Sequence, residues 1–338
     1  MKILTIVVPS YNVEKYLEKT LDSFVLKYGT EKLEVLIVND GSLDNTAEIA
    51  HRYVEQYPET FFLINKENGG HGSTVNVGIE KACGKYFRIV DGDDWVDAFA
   101  LQRMIENLEK IDVDLVLTNF RTYNMDTDEE KEFSYDKVEY NKVLSPKEVL
   151  QSGVTLPMTS VCYRTDILKQ NNIKLQEGIY YVDEEYNVMP FAYTQTIYFM
   201  DIILYNYRIG NVNQSINMKN QVLRVEHKLK VAKRLVSFVE SVQMNEDNKE
   251  YCYRKVQGVI TSIYLVMMIY AQDRKKANEI VKEVEAFVKC NSLVLWKRTQ
   301  KKYQIFRILG MMPCREHVYM SIKRIKRILG KERGIDYV

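Results

Sequence analysis

A short apolar segment that runs directly into three carboxylates limits what this chain can fold into. Residues 86–90 are rich in aromatic and β-branched side chains, and they predict a buried strand. Asp91, Asp93 and Asp94 follow at once. Carboxylates crowded at a strand end repel one another, and a magnesium ion that also binds phosphate oxygens relieves this repulsion. The segment therefore predicts either a metal-diphosphate site or a solvated acidic turn before a helix that starts near Asp97.

The chain before this segment alternates between apolar runs and helical patterns. The runs predict buried strands, and the spacing of apolar residues between them predicts helices. Strands are expected over residues 3–8, 33–38, 61–65 and 86–90, and helices over residues 14–28, 44–57 and 73–82. This alternating order is typical of an α/β protein with a Rossmann-like, mostly parallel sheet and helices on both faces.

Polar clusters follow three of the predicted strands, at residues 10–12, 39–41 and 91–94. Because the carboxyl ends of parallel strands share one edge of a sheet, these clusters should converge on one site. No G-x-G-x-x-G follows the first strand, which disfavours a dinucleotide fold of the dehydrogenase type. The absence of G-x-x-x-x-G-K-S/T excludes a P-loop nucleotide hydrolase.

Four segments resemble, in order and spacing, the successive motifs of family 2 inverting glycosyltransferases with the GT-A fold, of the bacterial surface-polysaccharide type. The segments are Pro9-Ser-Tyr-Asn12, Val38-Asn-Asp-Gly-Ser-Leu-Asp-Asn-Thr46, Asn68-Gly-Gly…Asn76-Val-Gly78 and Asp91-Gly-Asp-Asp94. The resemblance covers about residues 3–215. It implies a nucleotide-sugar donor, usually a UDP-sugar, and a divalent cation, Mg²⁺ or Mn²⁺.

The resemblance also implies roles for individual residues. Pro9, Tyr11 and Asp40 would line the nucleotide pocket, with Asp40 accepting a hydrogen bond from the base. Asp91 would lie near the ribose and the donor sugar. Asp93, together with Asp91, would hold the metal against the diphosphate. A cation there would stabilise the charge of the leaving nucleoside diphosphate. The further nucleotide-sugar contacts that the resemblance implies are Asn12, Asn68, Gly70, Asn76 and Arg208.

Two positions depart from the family pattern. Asn39 stands where the family often has Asp, which removes one charge near the nucleotide. Thr74 and Val75 stand where the family often has Ala-Arg, so an arginine contact is missing. His71 either compensates for that arginine or is a loop histidine without a chemical role.

An inverting transfer needs one base, which takes the proton of the acceptor hydroxyl. The family supplies it as the Asp of a Glu-Asp-x-x-Phe-like motif, and aligning the aromatic residue on Tyr186 selects Asp183. A register shifted by one residue selects Glu184 instead. Glu185 fits a role without catalysis, because acidic residues are favoured in the first turn of a helix. Arg208 resembles the arginine that follows the base in the family, where it either pairs with the diphosphate or forms a structural ion pair.

The composition is that of an ordinary globular protein with a net charge of +1, and it argues against nucleic acid as a partner. Five scattered cysteines without C-x-x-C spacing predict a reducing compartment and no structural zinc site. The N-terminus lacks the pattern of a signal peptide, and the longest apolar run, 259–270, is shorter than the roughly 20 residues of a transmembrane helix. We therefore expect a cytoplasmic protein.

The last part of the chain is basic. Residues 296–338 contain twelve Lys/Arg and three Asp/Glu, and helices are predicted before them over residues 221–242, 249–271 and 275–290. The last predicted helix has an apolar face with basic flanks. The apolar residues are Val318, Ile322, Ile325, Ile328 and Leu329. This pattern is typical of a helix on an anionic membrane, and it also fits a surface helix packed on the acidic body.

We therefore predict a catalytic domain over residues 1–215 and a helical extension over residues 216–338. The predicted enzyme moves a sugar to a hydroxyl of a glycan or a lipid-linked oligosaccharide in surface-polysaccharide synthesis, in the cytoplasm or peripherally at the inner face of the membrane. Two alternatives stay open: a catalytically inactive protein that binds nucleotide sugars, and a nucleotidyltransferase that makes them. The glycine-rich N-terminal signature of the latter is absent.

Overall fold

The computed structural model describes residues 1–210 and 217–328. The chain divides into two compact units, Met1–Asn211 and Val212–Val338. The assignment of residues 1–215 to a catalytic domain and of 216–338 to a helical extension stays a prediction.

In the described residues of the first unit, ten strands form one sheet. They are β1 (Leu4–Ser10), β2 (Leu33–Asn39), β3 (Phe61–Asn65), β4 (Tyr86–Ile89), β5 (Trp95–Val96), β6 (Leu115–Asn124), β7 (Glu130–Phe133), β8 (Val143–Leu144), β9 (Val161–Arg164) and β10 (Ile197–Ile209). The main order is β3-β2-β1-β4-β9-β6-β10-β5, with β7 paired to β6 and β8 to β10. Strands β1 to β4 are parallel, as predicted, and β9 runs antiparallel between β4 and β6.

The first two strands are buried along their whole length. A parallel strand that is covered on both faces needs a continuous apolar sequence, which is why their apolar runs could be recognised. β4 is equally buried and includes Arg88. The Arg88 guanidinium donates to the carbonyl oxygens of Thr159 and Ser160, so a buried charge is compensated by backbone dipoles.

Seven α-helices occur among the described residues of the first unit. They are α1 (Glu14–Asp22), α2 (Thr46–Gln56), α3 (His71–Lys81), α4 (Ala98–Leu108), α5 (Pro146–Ser152), α6 (Thr165–Gln170) and α7 (Asp183–Val188). The prediction that the first helix extends to residue 28 is wrong. The Ser23 hydroxyl accepts the Val96 N–H at 3.2 Å and donates to the Thr20 carbonyl oxygen at 2.6 Å, so the chain leaves the helix after Asp22.

The described residues of the second unit are helical. Its helices are α8 (Met218–Leu223), α9 (Val225–Ser241), α10 (Glu246–Leu265), α11 (Arg274–Asn291), α12 (Leu293–Gly310) and α13 (Arg315–Ile328), with a π-helical turn at Val266–Tyr270. The three helices predicted between residues 221 and 290 are confirmed. No helix in the described parts of the chain combines the length and the hydrophobicity needed to cross a bilayer.

Candidate active site

The loops that follow β1 and β2 are joined by hydrogen bonds. The Asn12 side-chain oxygen accepts the Leu43 N–H at 2.8 Å, and the Ser42 hydroxyl accepts the Asn12 N–H at 3.0 Å. The loop after β4 joins them, because the Gly92 N–H donates to the Pro9 carbonyl oxygen at 3.1 Å. The three polar clusters therefore meet at one edge of the sheet, as the order of parallel strands predicts.

The nucleotide-pocket residues of the first motif differ in exposure. Pro9 is a buried residue of β1 and pairs with Val38 of β2. Tyr11, just beyond the end of the strand, is 48% exposed. An aromatic ring that stays exposed at this edge is available to a ligand, and the roles of Pro9 and Tyr11 in nucleotide binding stay predictions.

Asp40 is almost fully buried and organises the loop before α3. Its carboxylate accepts the Lys66 ammonium at 2.7 Å and the N–H groups of Gly69 and Gly70 at 2.9 and 2.8 Å. The Asn68 side chain donates to the Asp40 carbonyl oxygen at 2.9 Å. Contact of Asp40 with the nucleotide base stays a prediction. The structure shows a second function of Asp40, which is to hold the loop before α3 in place. Sequence reasoning missed Lys66, whose local signal is its place directly after β3.

Gly70 and His71 begin α3 and bring it to the acidic cluster. Gly70 has φ = +79°, a left-handed conformation that glycine adopts without strain. The His71 ring nitrogen Nε2 lies 2.9 Å from a carboxylate oxygen of Asp91. The helix that carries the third motif is thus connected directly to the end of β4.

Three carboxylates act on His71. Burial alone would lower the pKa of His71, but the net shift is upward. The hydrogen bond and charge of Asp91 raise this pKa, and the charges of Asp183 and Asp93 add to the effect. The predicted base, Asp183, and the predicted metal ligands, Asp91 and Asp93, therefore all lie near enough to His71 to affect its charge.

The third carboxylate of the cluster, Asp94, is buried. It accepts the Tyr205 hydroxyl at 2.6 Å and the Arg208 N–H at 2.7 Å. Burial, followed by the charges of Asp93 and Asp91, raises the pKa of Asp94 well above its usual range. These bonds join the end of β4 to β10, so the geometry assigns Asp94 a structural function.

Asp91 and Asp93 have the chemistry that a magnesium ion needs. Within residues 1–210 and 217–328, no three His, Cys, Asp or Glu side chains are grouped to hold a metal ion. A site of one or two carboxylates completed by substrate phosphates does not need such a group. Burial and the charge of Asp91 raise the pKa of Asp93 to about 6. A pair of carboxylates whose joint charge is disfavoured fits a divalent cation, which would offset that charge.

The loop that leads to Asp183 is fastened to α3 and α7. The Asn76 side chain on α3 bonds both backbone groups of Leu175, at 2.7 and 2.9 Å, and donates to Glu177 at 3.0 Å. The fully buried Glu185 on α7 accepts the backbone and side-chain N–H groups of Gln176 at 2.9 and 2.5 Å. Asn76 therefore positions this loop, and its predicted contact with the nucleotide sugar stays a prediction.

The alternative base residues lie side by side in the first turn of α7. Asp183 and Glu184 are both half-buried, whereas Tyr186 is fully buried and packs edge-on against Tyr163. Tyr181, two residues before Asp183, has φ = +70°, which is rare for an aromatic residue. The packed ring and the constrained turn define how α7 begins, and the choice between Asp183 and Glu184 stays a prediction.

Two cations lie near the indole ring of Trp95. The Lys19 ammonium is 3.5 Å from the ring centroid, and the Arg208 guanidinium carbon is 5.0 Å from it. Burial, followed by the charge of Arg208, lowers the pKa of Lys19. Sequence reasoning missed Lys19, because nothing local on α1 connects it to Trp95. The contact of Arg208 with a diphosphate stays a prediction.

Residues 5–165 match the family model described as Glycosyl transferase family 2. This part of the chain belongs to glycosyl transferase family 2. A relative, the uncharacterized glycosyltransferase EpsJ of Bacillus subtilis, is 31% identical over 214 residues. The alignment spans 61% of this chain and 61% of the length of EpsJ.

Solved structures confirm the fold class. S. aureus TarS 1-349 in complex with UDP-GlcNAc has a TM-score of 0.66 at 15% sequence identity, with 100% of this chain and 95% of that chain covered. The mannosyltransferase PcManGT from Pyrobaculum calidifontis, in complex with GDP-Man and Mn²⁺, has a TM-score of 0.52 at 14% identity, with 97% and 88% covered. The chain therefore has the predicted GT-A fold, followed by a C-terminal helical region.

Proposed function

We propose that this family 2 protein transfers a sugar from a nucleotide-diphosphate sugar, with UDP-sugars as the donor class, to a hydroxyl group, with inversion at the anomeric carbon. One observation supports this most strongly. The electrostatic neighbourhood of His71 includes Asp91, Asp93 and Asp183, the predicted metal ligands and the predicted base. A donor held by the first two would lie beside the third.

In the proposed reaction, the acceptor oxygen forms a bond to the anomeric carbon while the bond from that carbon to the phosphate oxygen breaks. The leaving nucleoside diphosphate takes the electron pair of the broken bond. The Asp183 carboxylate takes the hydroxyl proton, as a general base must. Because the oxygen attacks from the face opposite the leaving group, the configuration inverts.

The donor diphosphate would be held at the end of β4. A divalent cation bound there by Asp93 and Asp91 would stabilise the negative charge of the leaving group. PcManGT, which has the same fold, binds Mn²⁺ together with its nucleotide sugar. Burial and the charge of Asp91 raise the pKa of Asp93, and the charge of Arg208 on β10 offsets part of this rise. Arg208 therefore lies near Asp93, where its positive charge would face the same phosphates.

We propose a glycan or a lipid-linked oligosaccharide of surface-polysaccharide synthesis as the acceptor. TarS binds UDP-GlcNAc in its complex, and this supports UDP-sugars as the first donors to test. The proposed place of action is the cytoplasm or the inner face of the cell membrane, where a lipid-linked acceptor would be present.

The experiment is a panel of UDP-, GDP- and TDP-sugars, tested for release of nucleoside diphosphate with Mn²⁺ and with a chelator. We expect Mn²⁺-dependent release from one donor class. Binding of a donor without its breakdown, even at high enzyme concentration, would favour the inactive nucleotide-sugar-binding protein. Formation of a nucleotide sugar from a sugar phosphate and a nucleoside triphosphate would favour the nucleotidyltransferase.

A further inference from the structure

Helix α12 exposes apolar side chains on one face. Ile305 is 44% exposed and Ile308 is 55% exposed. They are three residues apart, so they lie on the same side of the helix. Met311 and Met312, directly after the helix, are 72% and 38% exposed. Exposed apolar side chains that are grouped in this way differ from the scattered ones of an ordinary surface and indicate an interaction site.

The same helix carries exposed positive charges. Lys301 is four residues before Ile305 and therefore shares its face, while Lys302 and Arg307 flank that face. No described carboxylate lies within ion-pair distance of Lys301, Lys302 or Arg307, and Glu316 is the one acidic residue between positions 293 and 325, against eight basic ones. The positive charges of this face are therefore available to bind an anionic partner.

The described part of the apolar face predicted on α13 is less exposed than the apolar face of α12. Val318 and Ile322 are half-buried, and Tyr319 between them packs against Phe306 of α12 at 6.0 Å. Ile325 is 57% exposed, and the side chains of Ile328 and Leu329 lie outside the described residues. The described part of the chain therefore shows its clearest apolar and basic face on α12, one helix earlier than the sequence pattern predicted.

We propose that this α12 face, formed by Ile305, Ile308, Met311 and Met312 with Lys301, Lys302 and Arg307, docks onto an anionic lipid bilayer. Apolar side chains enter the boundary between headgroups and acyl chains, and the basic side chains bind the anionic headgroups. A second copy of the chain is a poorer partner. In a symmetric dimer the same patch meets itself, so the positive charges would be brought together. The proposal does not depend on glycosyl transfer.

The test is co-sedimentation of the full chain with vesicles of phosphatidylcholine, with or without phosphatidylglycerol. We expect binding that needs phosphatidylglycerol and weakens as salt is added. The double variant Ile305→Gln/Ile308→Gln should bind roughly tenfold more weakly, since it removes two apolar side chains that the bilayer would bury. Lys301→Glu/Lys302→Glu should lose roughly a hundredfold or more, since each basic residue at the surface contributes to the attraction.

Matched controls lie in the same unit. Leu223→Gln changes a 78% exposed apolar residue of α8, and Lys275→Glu/Lys282→Glu reverses two exposed charges on α11. Both controls should bind like the wild type. The proposal is overturned if the wild-type protein binds vesicles equally well with and without phosphatidylglycerol. It is also overturned if the α12 variants bind as well as the controls. A dimer in sedimentation velocity that Ile305→Gln/Ile308→Gln dissociates would overturn it as well.

Discussion

The side-chain amide of Asn76 forms a two-point hydrogen bond with the backbone of Leu175, donating to its carbonyl oxygen at 2.9 Å and accepting its N–H at 2.7 Å. Asn76 lies on α3, which begins at His71 beside Asp91. Leu175 lies in the loop between α6 and Asp183. The pair therefore connects the proposed donor side of the site to the proposed base.

Asn76→Ala removes both hydrogen bonds and should lower the free energy of unfolding by about 1–3 kcal/mol, because buried backbone groups of Leu175 lose their partners. The turnover number should fall, while the KM for the donor changes little, because the base moves and the donor site does not. Urea unfolding and steady-state kinetics measure the two effects. Asn107→Ala, which removes an exposed bond within α4, is the control. An Asn76→Ala variant of normal stability but raised donor KM would instead place Asn76 on the donor.

Asp93→Ala should abolish Mn²⁺-dependent binding of UDP while the protein stays folded, because removing one of several crowded carboxylates relieves repulsion. Asp94→Ala should instead lower the free energy of unfolding by about 1–3 kcal/mol, since the Tyr205 hydroxyl and the Arg208 N–H lose a buried acceptor. Calorimetric titration of UDP with Mn²⁺, together with thermal unfolding, separates the two variants. Undiminished UDP affinity in Asp93→Ala would refute the metal assignment.

Asp40→Asn tests the nucleotide pocket. The new amide group would point N–H at the Gly69 and Gly70 N–H groups or at the Lys66 ammonium, so the loop before α3 should loosen. We expect a larger loss of UDP affinity than of thermal stability, measured by calorimetry and by thermal unfolding. Equal UDP affinity in variant and wild type would restrict Asp40 to its structural function.

The sequence predicted the first half of the fold well, because β1 and β2 are buried on both faces and their apolar character is continuous. It did not predict β9. Residues Val161–Arg164 form a four-residue strand whose place depends on pairing with Tyr86–Arg88 and Leu115–Leu117. Such pairing between distant segments leaves no local pattern of its own.

The candidate site, like the fold, was only partly predictable from the sequence. The motifs indicated which loops converge, because strand ends are marked by polar residues such as Asn12 and Asp91. The partners within the site were not predictable, since Asn76 and Leu175 are 99 residues apart and either could have bonded solvent or a ligand. Asp94 was grouped with Asp91 and Asp93 by spacing, and its function differs from theirs because it is buried and bonded to Tyr205 and Arg208.

Asp183→Asn should reduce turnover by about 10²–10⁴-fold, the usual contribution of a general base, with little change in donor affinity. Glu184→Gln should be milder, because adjacent helical residues point about 100° apart and both cannot face the same hydroxyl. Initial rates and UDP titration of the two variants measure this. If Glu184→Gln is inactive and Asp183→Asn is active, Glu184 is the base. If both variants are active, the base is another residue.

The stereochemistry of transfer distinguishes inversion from retention at the anomeric carbon. A donor identified in the nucleotide-sugar panel is incubated with the enzyme, Mn²⁺ and methanol, and the trapped methyl glycoside is examined by proton NMR. Methanol serves as a simple acceptor hydroxyl, and a glycoside keeps the configuration in which it forms. From an α-linked UDP-sugar we expect the β-methyl glycoside, and we expect Asp183→Asn to lose it. Formation of the α-methyl glycoside, or of the same β product by Asp183→Asn at the wild-type rate, would contradict the proposed mechanism.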